Sequence, residues 1–149
     1  MKEEEIRNEA ISSMIKIIPW FRNVASSAFS NKVFDLTRIQ LLMVMALYYH
    51  GAVSMGTLAK LVGTSNEQVT RAANRLQEKE YVIKEQDKYN RRIVNIYLSE
   101  KAKEQVKDIE DRYLQQIKEI FDIIPIEDMK KLAESADFIC GILDRIDEQ

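Results

Sequence analysis

Two short helical segments joined by a glycine turn, and followed at once by two strands, constrain this fold more than any other feature. Ser54 precedes "MGTLAKLV" and Gly63 follows it, and after Thr64 comes Ser65, which precedes "NEQVTRAANRLQEKE". Two short helices joined by such a turn are typical of a helix-turn-helix. The runs "YVIKEQ" and "IVNIYL" then predict two strands on either side of the turn "DKYNRR". Together these elements predict a winged helix.

Residues that favour helix ends indicate where the helices begin and stop. Thr37 with Gln40, and Ser65 with Gln68, each have the spacing of a capping box. Gly51 is predicted to end the apolar helix "RIQLLMVMALYYH", which should be central and buried. Serines therefore mark the starts of the later helices, and glycines mark the ends of the central ones.

Long helices are predicted on both sides of the winged helix, because the chain contains only four Gly and two Pro. The first helix should run from residue 3 to about residue 30, with a kink or short break at Pro19. Another begins after Ser99 and is broken by Pro125, and a last helix closes the chain. The predicted fold is mainly α with a small β-hairpin wing (α+β): a winged helix-turn-helix with N- and C-terminal dimerisation helices.

The outer helices carry apolar stripes that a small winged helix cannot bury alone. A second copy of the chain is the simplest partner, because most oligomers are symmetric dimers. We therefore interpret residues 1–149 as one chain built around a winged helix-turn-helix at 36–98. Residues 1–30 and 99–149 are the expected dimerisation helices of a homodimer.

Charge is unevenly distributed along the chain, whose net charge is −2. Residues 1–64 contain seven Lys and Arg against five Asp and Glu, and residues 65–92 again contain seven against five. Residues 93–149 contain eight against fourteen. The acidic excess lies in the C-terminal third, so the rest of the chain is mildly basic and can present a local basic face to a polyanion.

Composition argues against several other classes of protein. No apolar run reaches the ~18 residues of a membrane span, and the acidic start "MKEEEIRNE" lacks the apolar core of a signal peptide. A single Cys precludes an internal disulfide and fits the reducing cytoplasm. We find no phosphate-binding glycine loop, no nucleophile–histidine pair and no set of metal ligands, so we expect neither an enzyme nor a cofactor.

Three stretches carry a resemblance to a known family: "LTRIQLLMVMAL" (36–47), "LAKLVGTSNEQVTRAANRLQEKEYV" (58–82) and "DKYNRRIVNIYLSEKAKE" (87–104). In this order and at these spacings the sequence resembles the MarR family (multiple antibiotic resistance regulators). These are dimeric winged-helix transcription factors of bacteria and archaea. The resemblance implies a DNA-binding regulator, with repression as the usual effect because a dimer covering a promoter blocks polymerase.

The chain departs from the pattern of that family at a few positions. Asn90 stands where the family usually has Asp, which commonly orients a wing arginine, and Asp87 or Glu85 is the expected substitute. Glu80 and Ala102 stand where the family prefers Gly, which predicts slight strain if these positions require a positive φ.

The helix after Ser65 has an apolar and a polar face. Val69, Ala73 and Leu76, together with Ala72, recur at helical spacing and should pack on the core. The polar face carries residue types that contact base edges and phosphates, and the N-terminal residues of a recognition helix lie deepest in the major groove. The predicted DNA contacts are Ser65, Asn66, Gln68, Thr70, Arg71, Asn74 and Arg75, the last being structural or phosphate-facing. The alternative interpretation is a solvated helix face.

The turn between the strands carries three cations, Lys88, Arg91 and Arg92. A narrow minor groove attracts inserted arginine, and Arg91 is the candidate nearest the tip. Lys88 is expected to meet phosphate, and Arg92 to point back and pair with Asp87. The alternative is that these cations only keep the hairpin soluble. Two such domains on one dimer predict an inverted repeat in double-stranded DNA, with half-sites about 10 bp apart.

The resemblance also implies a small aromatic or phenolic effector that binds near the junction of dimerisation helices and winged domain and releases DNA. The segments concerned contain Trp20, Phe21, Arg22, Arg38, Met43, Leu47, Tyr48 and His50. Aromatic and Met side chains can enclose an apolar ligand, but at helical spacing they also pack as simple core. His50 fits equally well as a helix C-terminal residue favoured by the helix dipole.

Two further alternatives concern Cys140 and the class of function. Cys140 lies beside Ile139 and Ile142, which suits a buried inert thiol more than a redox switch. The acidic C-terminal third leaves open a winged-helix module that binds a protein partner without sequence-specific DNA binding. A continuous positive stripe across the recognition helices would favour DNA, and a neutral or acidic surface a protein partner.

Overall fold

The computed structural model describes residues 2–29 and 35–147. By contacts the chain divides into two compact units, residues 1–113 and 114–149. The predicted fold, mainly α with a winged helix-turn-helix, is confirmed. The elements in chain order are α1 (Glu3–Phe29), α2 (Arg38–His50), β1 (Val53–Ser54), α3 (Met55–Val62), α4 (Asn66–Glu78), β2 (Val82–Gln86), β3 (Val94–Leu98), α5 (Glu100–Phe121) and α6 (Ile126–Asp147).

The helix ends follow most of the predicted caps. Thr37 accepts a hydrogen bond from the Gln40 N–H, and the Gln40 side chain accepts one from the Thr37 N–H, which completes the capping box of α2. Gly51 and Gly63 end α2 and α3 with φ of 72° and 70°, in the region that glycine adopts without strain. Ser99 accepts the N–H of Ala102 at 3.1 Å and so caps α5.

The capping box predicted at the start of α4 is only half formed. Ser65 accepts the Gln68 N–H at 3.2 Å, as expected. The side-chain oxygen of Gln68, however, accepts the hydroxyl of Thr64 instead of the N–H of Ser65. The prediction was wrong on this second bond because Thr64 offers a competing hydroxyl one residue earlier.

A kink or short break was predicted at Pro19, and α1 runs through this residue without a break. Proline removes one backbone donor and crowds the preceding turn. The helix has 27 residues, so intact turns on both sides offset the loss of one hydrogen bond.

The sheet is antiparallel, in the order β1-β3-β2. The two strands predicted on either side of the turn are present, and β2 and β3 pair in the register Val82↔Leu98 through Gln86↔Val94. Strand β1 pairs Val53 with Ile96 and was not predicted. A strand of two residues is too short to leave a periodic signal in the sequence.

One hydrophobic core holds the winged helix together. It joins α2, α3, α4, the sheet and the start of α5, so α4 is fixed by its apolar face and its polar face points outward. The buried residues of this core are Met43, Val44, Leu47, Leu58, Ala59, Val69, Ala73, Leu76, Val82, Ile96, Leu98, Ala102 and Val106.

Glu80 connects α4 to the sheet with an unusual backbone conformation. Its φ is 62°, so the condition under which strain was predicted at this position is met. Its carbonyl accepts the Ser99 hydroxyl at 2.7 Å, and its carboxylate pairs with Lys101 at 3.6 Å. Ala102 lies inside α5 and is buried, so no strain of this kind arises there.

Replacing Glu80 by Gly is expected to raise the free energy of unfolding by about 1 kcal/mol, because glycine adopts the left-handed region without a Cβ clash. Urea unfolding at fixed protein concentration measures the change. The matched control Gln77→Gly, inside α4, should lower the same quantity by about 1 kcal/mol. A loss of stability in Glu80→Gly would mean that the pair with Lys101 outweighs the relief of strain.

The outer helices expose many large apolar side chains in the single chain, as their sequence stripes predicted. On α1 these include Ile6, Ile11, Ile15, Ile18 and Phe21, and in the second unit Leu114, Ile123, Leu132, Phe138 and Ile146. Cys140 is also exposed, contrary to the buried thiol expected from its apolar neighbours, because most of α6 is uncovered. Among the described residues, no helix has both the length and the apolar character to cross a membrane.

Candidate nucleic-acid interface

The polar face of α4 is exposed along its whole length. Val69, Ala73 and Leu76 have no exposed surface and anchor the helix to the core, which turns the opposite face to solvent. All seven predicted contacts on this segment are exposed: Ser65, Asn66, Gln68, Thr70, Arg71, Asn74 and Arg75. The structure thus brings them together on one surface.

Several of these side chains have partners within α4. The Thr70 hydroxyl donates to the Asn66 carbonyl at 2.8 Å, a common local bond in helices that leaves the threonine methyl group outward. Arg71 forms an ion pair with Glu67, with 3.4 Å between Nη1 and Oε1. Glu67 was not among the predicted site residues, because an acidic side chain gives no signal for binding a polyanion.

Asn74 is held against the sheet. Lys84 on β2 donates from Nζ to its Oδ1 at 2.5 Å. Asn74, which was predicted as a DNA contact, therefore ties α4 to β2. The sequence did not identify Lys84 as a partner of Asn74, because no helix or strand periodicity brings residues ten positions apart together.

The wing turn, residues 87–92, is organised by Asp87. Its Oδ1 accepts the N–H groups of Tyr89 and Asn90, both at 2.9 Å, and its Oδ2 accepts Asn95 Nδ2 at 3.3 Å. The hydrogen bond from Tyr89, followed by those from Asn90 and Asn95, lowers the pKa of Asp87. The predicted ion pair between Arg92 and Asp87 is wrong, because backbone amides occupy the carboxylate.

Asn90 holds the other side of this turn. Its side-chain oxygen accepts the Arg92 N–H at 3.1 Å, and its carbonyl accepts the Ile93 N–H at 2.9 Å. Glu85 accepts the hydroxyl of Tyr97 at 2.7 Å and is not part of the turn. Asp87 and Asn90 together thus fix the backbone of the turn, and among the described residues neither forms an ion pair with a wing arginine.

The cations of the wing turn all point to solvent. Lys88, Arg91 and Arg92 are exposed, and none of them forms an ion pair within residues 2–29 and 35–147. Tyr89 is 99% exposed between them and was not predicted as a site residue. A fixed backbone with free cations is a suitable geometry for insertion into a groove.

A cleft of about 770 Å³ lies beside the start of α4. Hydroxyl and ammonium groups line it, and these groups contact phosphates in protein–DNA interfaces. The sequence reasoning had named Ser65 and Asn66 here but not Thr57 or Lys60. The polar lining includes Ser54, Thr57, Lys60, Thr64, Ser65 and Asn66.

The residues suggested for an effector fall into two settings. Met43 and Leu47 are buried in the core of the winged helix, where their side chains pack against other core residues. This packing corrects their assignment to a ligand pocket. Arg22, Arg38 and His50 are exposed, and Tyr48 is half-buried. Trp20 packs edge-on against Phe21, with 5.2 Å between ring centres.

Tyr49, next to these residues, links α2 to α5. Its hydroxyl donates to Glu110 Oε1 at 2.7 Å, and its ring packs edge-on against Tyr48. Partial burial, followed by the hydrogen bond to Glu110, raises the pKa of Tyr49 to about 12.

The helix pair α3 and α4, followed by the hairpin of β2 and β3, defines a winged helix-turn-helix fold. Residues 36–94 match the model of the MarR family. This match supports, for residues 36–94, the resemblance to the MarR family stated from the sequence. MarR-family proteins are transcription regulators and not enzymes. A search of curated protein sequences finds no match to this chain.

Solved structures share the fold over nearly the whole chain. A MarR family protein from Bacillus stearothermophilus is 14% identical with a TM-score of 0.72, over 97% of this chain and 99% of that one. Streptococcus pneumoniae FabT in complex with DNA is 15% identical with a TM-score of 0.60, over 97% and 99%. NadR in complex with 4-hydroxyphenylacetate is 17% identical with a TM-score of 0.60, over 90% and 91%.

Proposed function

We propose that this chain is a homodimeric, cytoplasmic transcription regulator that binds an inverted-repeat operator in double-stranded DNA, usually as a repressor. The recognition helix α4 enters the major groove and the wing turn enters the minor groove. One observation carries the proposal: the buried side of α4 is apolar and its opposite side presents Arg71 and amide side chains outward. Such a face offers the donors and acceptors that read base edges.

The wing supports the same function by a separate route. Asp87 and Asn90 fix the backbone of the turn, and Arg91 and Lys88 extend from it without acidic partners among the described residues. Arginine on a thin, ordered hairpin fits a narrow minor groove, whose potential is strongly negative. The lysine would contact phosphates on the groove's edge.

Dimerisation is supported by the exposed apolar side chains of α1 and of the second unit. An isologous contact between two copies would bury such stripes and relate the two recognition helices by a twofold axis. Two helices so related meet successive major grooves, about 10 bp apart. This is why the operator should be an inverted repeat.

A small aromatic effector stays a prediction. NadR, which shares the fold, was solved with 4-hydroxyphenylacetate. In this chain the residues that keep exposed surface for such a ligand are Trp20, Arg22, Tyr48 and His50, whereas Met43 and Leu47 serve the core.

The test is selection of bound sequences from a random DNA pool. We expect the wild-type protein to enrich an inverted repeat with half-sites about one helical turn apart, bound about 10³-fold or more tightly than random DNA. Repeating the selection with aromatic acids present would reveal an effector as loss of enrichment. A scrambled duplex of equal length and base composition is the matched control. No enrichment at low salt would reject the proposal and favour the protein-binding alternative.

A further inference from the structure

Glu67 lies on the outermost line of the recognition helix. Val69, Ala73 and Leu76 are fully buried and define the inner side of α4. At 3.6 residues per turn, Glu67 and Arg71 both fall within about 30° of the direction opposite to that inner side. At the N-terminal end of α4, the end that lies deepest in a groove, these two side chains are the outermost, and Glu78 lies on the same line at the other end of the helix.

The pair that they form contributes little to the fold. Arg71 and Glu67 are 3.4 Å apart, and their side chains are 67% and 78% exposed. Ion pairs this exposed add little stability, because water and salt screen them. A glutamate in the first turn also interacts favourably with the helix dipole, but an acidic residue at position 66 or 68 would supply that charge without lying on the outermost line of the helix.

A carboxylate at this place has an electrostatic disadvantage if α4 meets DNA. Phosphates repel it, so the free energy of binding to every sequence becomes less favourable. The paired Arg71 reduces that loss, and a hydrogen bond that the carboxylate accepts from the DNA would offset it at particular bases. In the major groove the N4 amino group of cytosine is such a donor, while guanine O6 and N7 are bound by arginine.

We infer that Glu67 is a specificity-determining residue, an inference that rests on the proposed DNA-binding function. Its carboxylate accepts a hydrogen bond from cytosine N4 in each half-site and holds the Arg71 guanidinium beside it for a neighbouring guanine. Arg71 in turn compensates the negative charge that Glu67 brings near the phosphates. Glu67 and Arg71 recognise the bases together, because each side chain fixes the position of the other.

The experiment repeats the random-pool selection with three variants of the full chain. Glu67→Gln keeps the shape but lacks the charge, and it should lose the cytosine preference at one position per half-site by about 10-fold, with a shift toward adenine. Affinity for random DNA should rise. Glu67→Asp keeps the charge but shortens the side chain, so it should lose the cytosine preference without that rise. Glu78→Gln, at the other end of α4 and also exposed, is the matched control and should select the wild-type sequence.

The results distinguish a failure of this inference from a failure of the proposed DNA-binding function. If the wild-type protein selects an operator and Glu67→Gln selects the same bases while binding all DNA more tightly, Glu67 only repels phosphate and the inference is wrong. If the wild-type protein selects no sequence at all, the proposed function and the inference fail together. Loss of the cytosine preference in both Glu67 variants, with the Glu78 control unchanged, supports the inference.

Discussion

Raising the NaCl concentration from 50 to 200 mM should weaken binding of the wild-type protein to its selected operator by about 10³- to 10⁵-fold. Each lysine or arginine that neutralises a phosphate releases condensed counterions, so the logarithm of the binding constant falls linearly with the logarithm of salt concentration. An effect of this size corresponds to about six to ten phosphate contacts. The exposed cations of the winged helix, doubled in a dimer, reach that range: Lys60, Arg75, Lys88, Arg91 and Arg92.

The cations of the wing turn allow the most direct test of this salt dependence. Fluorescence anisotropy of a labelled operator over a salt series measures the slope. Arg91→Ala should weaken binding to most sequences and reduce the slope by about two per dimer, since one contact is lost from each wing. Arg7→Ala is the matched control, because Arg7 lies on α1 and is paired with Glu3 at 2.5 Å. A slope near zero for the wild-type protein would contradict electrostatic binding to DNA altogether.

Replacing Leu76 by Ala should lower the free energy of unfolding by about 2–5 kcal/mol. Leu76 has no exposed surface and lies in the core that α4 shares with α2, α3 and the sheet. Removing its branched end loses the transfer free energy of the buried carbons and leaves a cavity that close-packed neighbours fill only in part. This is the largest loss of stability that we expect from a single residue of the recognition helix.

Circular dichroism during urea unfolding measures this loss, at several protein concentrations because dimerisation shifts apparent stability by mass action. Gln77→Ala is the matched control, since Gln77 is the next residue and is exposed, and it should change the free energy by no more than about 0.5 kcal/mol. DNA affinity of Leu76→Ala, measured where the variant is folded, should stay close to that of the wild type. A loss of stability below about 1 kcal/mol would show that the core collapses around the cavity.

Short-range patterns predicted the secondary structure and the faces of α4. Caps depend on groups three residues apart, such as Thr37 and Gln40, and both hydrogen bonds of that pair formed. The apolar side of α4 follows from helical periodicity alone, and burial of Val69, Ala73 and Leu76 confirmed it. Strain at Glu80, where the family prefers Gly, was predicted for the case of a positive φ, and its φ is positive.

The sequence did not predict which groups the polar side chains form hydrogen bonds with. Asp87 accepts backbone amides of its own turn and not Arg92, and Asn74 is taken by Lys84 from the neighbouring strand. Both outcomes depend on the path of the hairpin and on how α4 packs beside it. A side chain with several possible partners forms a hydrogen bond with the one that the backbone brings closest. The spacing of residues along the sequence does not give that distance.

The sequence by itself thus determined the order of elements, the inner and outer sides of the recognition helix and the cationic turn, because each depends on residues within a few positions of one another. Only the tertiary structure decided that Cys140 is exposed in the single chain and that Asn74 is bonded to Lys84 of the neighbouring strand. Burial is a property of neighbours from distant parts of the chain. The spacing of apolar residues in the sequence therefore shows which face of a helix is apolar. Which residues cover that face depends on the packing of distant parts of the chain.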